Sequence, residues 1–163
     1  VRYAALLYGG DRFESRDRLL AMVAKYDLVI LDRYVASNIA YNAAKLPTGE
    51  RGELIVWIEQ LEYGLFDLPR PDLTLLLATS TTLADRLVGE KAPRSYTNAA
   101  RDLHEADGKF LSVVAEVYGA LSSAGGDGWL QVDPTDGAGN LRAPPDIAAT
   151  VWQHPRLSGL IAK

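Results

Sequence analysis

An acid and a base stand side by side at Asp32 and Arg33, directly after the apolar run Leu28-Val29-Ile30-Leu31. A carboxylate at the end of a buried strand is suited to holding Mg2+, directly or through water. The neighbouring guanidinium offers a planar fork of donors that matches phosphate oxygens two at a time. Together they describe a site for a phosphate ester and a metal ion. Taken alone, the pair reads more readily as a structural ion pair, or as a strand end where charges reach water; the residues around it shift that balance. Ser37, Asn38 and Tyr41 follow on an expected helix, where a four-residue step puts Ser37 and Tyr41 on one face. A hydroxyl, an amide and a phenol beside an arginine could read a phosphate, a base and a sugar. Upstream, Tyr8 and Arg12 offer an aromatic face for a base and a donor for a base carbonyl. Singly, Tyr8 is ordinary core and Arg12 an ordinary surface charge.

The elements that must position these residues alternate. Residues 12–25 carry Leu19, Leu20 and Val23 at helical spacing. Residues 28–31 are short, apolar and β-branched, as in a strand buried on both faces. Residues 35–45 read as helix, and Pro47, Gly49 and Gly52 mark a loop. Leu54, Trp57, Ile58, Leu61 and Leu65 define an amphipathic helix over 53–65. A second buried strand is expected at 73–78, and Ser80 and Thr81 cap a helix over 82–88. A long helix is expected over 101–122 and a third strand at 129–132. A glycine-rich loop at 133–140 precedes a last helix opened by Pro145 and Asp146 and running through Trp152. Such alternation implies an α/β fold, a parallel sheet covered on both sides by helices, with ligands beyond the carboxyl ends of the strands.

Composition narrows the chemistry. The 163 residues suit a single domain (1–163) with room for a sizeable core. A net charge of −4 argues against a broad footprint for a nucleic-acid polymer or an anionic membrane, though not against a local basic pocket. With no cysteine, the chain offers neither a thiolate metal site nor a cysteine nucleophile. A reducing cytoplasm fits that composition. No apolar run approaches the roughly 20 residues of a membrane helix, and no signal peptide is visible.

Three stretches carry a resemblance: YDLVILDRYVASNIAY (26–41), LPRPDLTLLL (68–77) and RDLHEADGKFLSVVAEVY (101–118). In combination the chain resembles the thymidylate kinase family, P-loop enzymes that move the γ-phosphate of ATP onto dTMP. The resemblance implies a three-layer α/β/α kinase fold, Mg2+ as cofactor, ATP and dTMP as substrates, and a homodimer formed through the Trp57 helix. It implies that Arg33 clasps the dTMP phosphate, that Asp32 organises Mg2+ and its water, and that Ser37 supports the phosphate. Asn38 would hydrogen-bond the thymine edge, Tyr41 would pack near the sugar's 2′ position, Arg12 would reach a thymine carbonyl and Tyr8, usually Phe in the family, would stack on the ring. Residues 89–100 would form the lid, with Arg94 approaching the transferring phosphoryl group and Lys91 and Arg101 behind it. Glu105 matches an acidic position near the nucleotide sugar and metal, and Asp102 the acid before it. His104 reads as a surface residue. Asp133 and Pro134 would belong to the adenine-side loop, where backbone contacts matter more than side chains.

Phosphoryl transfer of this class needs a glycine-rich loop ending in Lys and Ser or Thr. The pattern Gly-x-x-x-x-Gly-Lys-[Ser/Thr] does not occur in these residues. In the family that loop follows the first strand, so its place is expected upstream of Val1, and a chain working without it would be inactive. The resemblance therefore leaves two alternatives to a dTMP kinase: a kinase for another pyrimidine monophosphate, and an inactive nucleotide-binding dimeric relative.

Overall fold

Backbone N–H and C=O groups must find partners, and the segments that open this chain find theirs internally, as helices. The computed structural model describes residues 1–79, 83 and 108–161. The chain divides into two compact units, one holding Val1–Asp72 together with Leu160–Lys163 and the other Leu73–Gly159.

In the first unit, α1 (Arg2–Glu14) and α2 (Arg16–Lys25) meet at Ser15. The single helix expected from residue 12 is thus two, and helix extends back to Arg2. The glycine pair at 9–10 hides this in the sequence, since glycine costs about 1 kcal/mol in a helix interior relative to alanine. Packing overrides that cost. Gly9 is buried, and a Cβ built on it would lie 3.2 Å from the Phe66 ring and 3.4 Å from Glu62 Cγ. Only a bare backbone lets α1 come this close.

Helix α3 (Val35–Ala43) buries Val35, Asn38, Ile39, Ala40, Asn42 and Ala43. Helix α4 (Thr48–Glu59) packs on it through Leu54 and Ile58, then widens into a π-helical turn at Gln60–Leu65. There the Phe66 N–H donates to Leu61 O at 2.9 Å, a five-residue step. Because a π-turn inserts an extra residue, the expected stripe changes phase. Leu54, Ile58 and Leu61 are buried, Trp57 is half-buried under the Arg2 guanidinium, and Leu65 is 75% exposed.

Residues 28–31 do not form the expected strand. They carry no strand assignment, and Leu28, Ile30 and Leu31 are exposed. A strand exists only by pairing, and an apolar β-branched run without a neighbouring edge is merely extended chain. Asp32 and Arg33 therefore close an extended segment and lead into α3.

In the second unit, β1 (Thr74–Leu77) pairs in parallel with β2 (Trp129–Val132), Thr74 opposite Trp129 and Leu77 opposite Val132. The crossover includes α5 (Gly108–Ala124), which packs on β2 and buries Val114 and Val117. Strand β1 is not buried on both faces: Leu75 and Leu77 are 43% and 47% exposed. With the covering helix packed on its partner strand, alternate β1 side chains face outward. Helix α6 (Pro144–Trp152) begins one residue before the expected Pro145, and an unanticipated α7 (Pro155–Ile161) follows. A helix-rich chain with a parallel pair and a crossover helix fits the expected α/β class. Among the described residues no helix is long and apolar enough to cross a membrane. The expected helix over 82–88, the lid at 89–100 and residues 101–107 of the long helix lie outside the described residues, apart from Leu83.

The tight approach at Gly9 has a measurable consequence. Gly9→Val should destabilise the protein by about 1–3 kcal/mol through overpacking against Phe66 and the clamped Glu62. Gly10→Ala, with nothing within 4 Å of the new Cβ, should stabilise it by roughly 0.5–1 kcal/mol. Urea unfolding midpoints of the two variants check both signs.

Candidate active site

The candidate site in the first unit is organised by a residue that the sequence analysis did not single out. Glu62 sits in the π-turn with its side chain 0% exposed. A buried carboxylate is tolerated only when paired and hydrogen-bonded. Arg12, on α1, meets it with both prongs of its fork: Nε donates to Oε2 at 2.6 Å and Nη2 donates to Oε1 at 2.6 Å. Asn38, on α3, donates from Nδ2 to the same Oε1 at 2.7 Å and to the Ala5 carbonyl at 2.9 Å. Asn42, one turn on, donates from Nδ2 to Asn38 Oδ1 at 2.8 Å and to Asn38 O at 3.0 Å. Its own Oδ1 is buried with no hydrogen-bond partner among the described residues. Two expected site residues separated by 26 positions are thus tied to one carboxylate.

A sequence signal for Glu62 did exist. It follows Leu54 and Ile58 at four-residue steps, on the stripe that faces the core. An acid at such a position has to find a buried cation or several donors.

Tyr34 and Tyr63 stand close to this network. Their rings are 6.5 Å apart, and the Tyr34 hydroxyl donates to the Pro69 carbonyl at 3.0 Å. Burial, and then the negative charge of Glu62, push the Tyr34 phenol up to about 12. Burial foremost, with Tyr34 beside it, raises Tyr63 further still. Both phenols remain neutral donors throughout the physiological range.

The second cluster lies at the start of α3. Arg33 has a left-handed backbone, φ 65°, between the extended segment and the helix. For a residue with a Cβ that conformation costs on the order of 1–3 kcal/mol, and such strain concentrates at functional sites. Its Nη2 donates to the Tyr41 hydroxyl at 2.9 Å, and its guanidinium carbon lies 4.9 Å from the Tyr41 ring centroid. Ser37 N–H donates to Tyr34 O at 3.0 Å within the first turn. Arg33 thus stands beside the N-terminus of a nine-residue helix, where unpaired amides and the helix dipole favour an anion. Asp32, exposed, precedes it. Tyr8 is 61% exposed and lines a shallow hollow with Ala4, Leu7 and Asp11.

In the second unit, Asp133 engages its own loop. Its Oδ1 accepts from the Thr135 hydroxyl at 2.7 Å and from the Thr135 N–H at 2.8 Å, which hold the carboxyl below its usual range. Pro134 is fully buried, and its carbonyl accepts from the Arg142 N–H at 2.9 Å. Lys91, Arg94, Arg101, Asp102, His104 and Glu105 lie outside the described residues.

The strain at Arg33 can be measured separately from its side chain. Arg33→Gly and Arg33→Ala both remove the guanidinium, but only alanine keeps a Cβ in the left-handed region. Arg33→Gly should be the more stable by roughly 0.5–1 kcal/mol, after allowing for glycine's greater freedom when unfolded. Thermal or urea unfolding of the two variants checks the order, which reverses if the backbone relaxes to negative φ.

Comparison with known proteins places this chain in a family. The thymidylate kinase family model matches residues 1–135. Thymidylate kinases from two Mycobacterium tuberculosis strains are 38% identical over 148 residues, covering 88% of this chain and 68% of theirs. A probable thymidylate kinase of Pyrobaculum aerophilum is 29% identical over 149 residues, covering 90% of this chain and 64% of that protein. A thymidylate kinase of Dictyostelium discoideum is 36% identical over 76 residues, covering 47% of this chain and 30% of that protein. The chain belongs to the thymidylate kinase family, nucleoside monophosphate kinases of the P-loop kinase fold.

Proposed function

We propose that this chain carries the acceptor side of a reaction in which the γ-phosphoryl group of ATP is transferred to dTMP, giving dTDP and ADP. The observation that carries this reading is the convergence of Arg12 and Asn38 on Glu62 beside an arginine-flanked helix N-terminus. Arg12 and Asn38 supply a donor and an amide for a pyrimidine edge, while Arg33 and the first turn of α3 supply donors for a monophosphate. Tyr41, in contact with the Arg33 guanidinium, stands where the sugar joining those two moieties would pass. Tyr8, largely exposed, offers a face on which a base can stack.

The residues present fit Mg2+. This ion keeps several waters and is held by one or two carboxylates together with substrate phosphates. Asp32, an exposed carboxylate beside the phosphate-binding arginine, would hold it through water. When bound, Mg2+ supplies charge neutralisation along the phosphate chain. The protein's own share is positioning and electrostatics. Arg33 orients the acceptor phosphate for in-line attack, and Ser37 supports it. In this reading Arg94, with Lys91 and Arg101, meets the transferring group from the lid, Asp102 and Glu105 act near the nucleotide sugar, and the Asp133–Pro134 loop borders adenine. The proposed working form is a cytoplasmic homodimer built on the Trp57 helix, whose Val56 is 52% exposed, and acts on neither nucleic-acid polymer nor membrane.

ADP release from ATP should be fastest with dTMP and slower with dUMP and dCMP as acceptor. Equal release with all three, or release independent of acceptor, would overturn the assignment. Arg33→Ala should raise KM for dTMP by about 10–100-fold while KM for ATP stays within about twofold. Equal losses for both substrates would show that Arg33 serves a different phosphate.

A further inference from the structure

We propose that Glu62 is the positioning residue that sets the hydrogen-bonding polarity of the base-reading edge, so that the site accepts a pyrimidine with an N3–H donor and rejects one with an N3 acceptor. The inference rests on the dTMP reading of Arg12 and Asn38 given above, and adds a residue that touches neither base nor phosphate.

The argument is a count of hydrogens. An asparagine amide nitrogen has two N–H groups. Those of Asn38 go to Glu62 Oε1 at 2.7 Å and to the Ala5 carbonyl at 2.9 Å, so no amide hydrogen remains for a ligand. Turning the amide over would set Oδ1 against two acceptors and Nδ2 against the Asn42 amide nitrogen, a donor facing a donor. With Nδ2 saturated, Asn38 can meet a base only through Oδ1, which keeps one acceptor position beside its bond from Asn42. Arg12 has no acceptor at all. With Nε and one Nη2 hydrogen directed at Glu62, its remaining N–H groups are donors on a fork that the carboxylate holds in place.

The protein edge is therefore acceptor at Asn38 and donor at Arg12. Thymine and uracil present the complement, an N3–H donor next to an O4 acceptor. Cytosine presents the reverse, an N3 acceptor next to an N4 amine, and would set acceptor against acceptor and donor against donor. Burial strengthens this discrimination, because the mismatched groups cannot turn to water instead. Glu62 reaches both readers, with Oε1 shared between them. Gly9 and the π-turn bring it there: the bare backbone of α1 admits the Glu62 stem, and the widened turn aims it inward.

Glu62→Gln preserves volume but meets Arg12 with one oxygen only, so the fork is lost and its charge is no longer matched. Titrating wild type and variant with dTMP and dCMP gives a ratio of affinities that does not depend on the folded fraction. We expect wild type to favour dTMP by about 100-fold and Glu62→Gln to lose dTMP affinity by roughly tenfold with dCMP nearly unchanged, shrinking the ratio accordingly. Glu62→Asp, charged but too short to span both partners, should shrink it as well. A merely structural role would leave the ratio intact, and that result overturns the proposal. A third measurement needs no variant: the Asn38 side-chain amide protons of the wild type should exchange slowly with and without dTMP. Fast exchange in the free protein followed by protection on binding would mean that Asn38 donates to the base, against the proposed polarity. Should wild type bind neither nucleotide, the kinase reading itself fails; binding with the ratio unmoved by Glu62→Gln removes only the present inference.

Discussion

A carboxylate enclosed by protein is the constraint on which the first unit turns. Glu62 is fully buried, and leaving such a charge without a partner would cost on the order of 3–5 kcal/mol, comparable to much of a domain's stability. Arg12 and Asn38 relieve that cost. The consequence is geometric: α1, α3 and the π-turn must assemble with three polar side chains in one register, or the unit carries an uncompensated ion. Hydrophobic contacts among Val35, Ile39, Leu54 and Ile58 pull the helices together without specifying which residues of each must face. The polar network supplies that choice. The groups that stabilise the fold in this way are the same ones proposed to read a base edge.

Backbone permissiveness is the complementary requirement. Gly9 removes a Cβ where α1 passes the Glu62 stem, and the π-turn adds a residue where the carboxylate must turn inward. Arg33 does the opposite, accepting a left-handed conformation that its side chain makes costly. Its bond to Tyr41 helps to hold that geometry, one helix turn beyond the residue that engages Glu62.

Much of this was legible in the residues. The amphipathic spacing of Leu54 and Ile58, the strand pattern at 129–132 and the Asp-Arg signature at 32–33 each carry a local physical cause, and the structure follows the first two closely. What was not legible is what depends on distant partners. Residues 28–31 read as strand because branched apolar side chains favour pleated backbone, yet pairing is supplied by another segment or not at all. The helix at residues 2–11 was hidden because Gly9 is unfavourable alone and favourable only against Phe66 and Glu62. In the sequence Arg12 stands as a solitary base; its fork to Glu62 lies across 50 residues and leaves no periodic trace. Glu62 is hard to see in the sequence because an acid in an apolar stripe looks like an interruption until its cation is known.

The widened turn at Gln60–Leu65 has a consequence for how relatives are compared. One surplus residue in a helix rotates everything after it by about 100° relative to an uninterrupted spiral. A relative that lacked the insertion would present a different side chain at the position Glu62 occupies, even where the flanking residues were identical letter for letter. Equivalence across this stretch is therefore a matter of angular phase, and only superposed backbones, not aligned strings, can establish it.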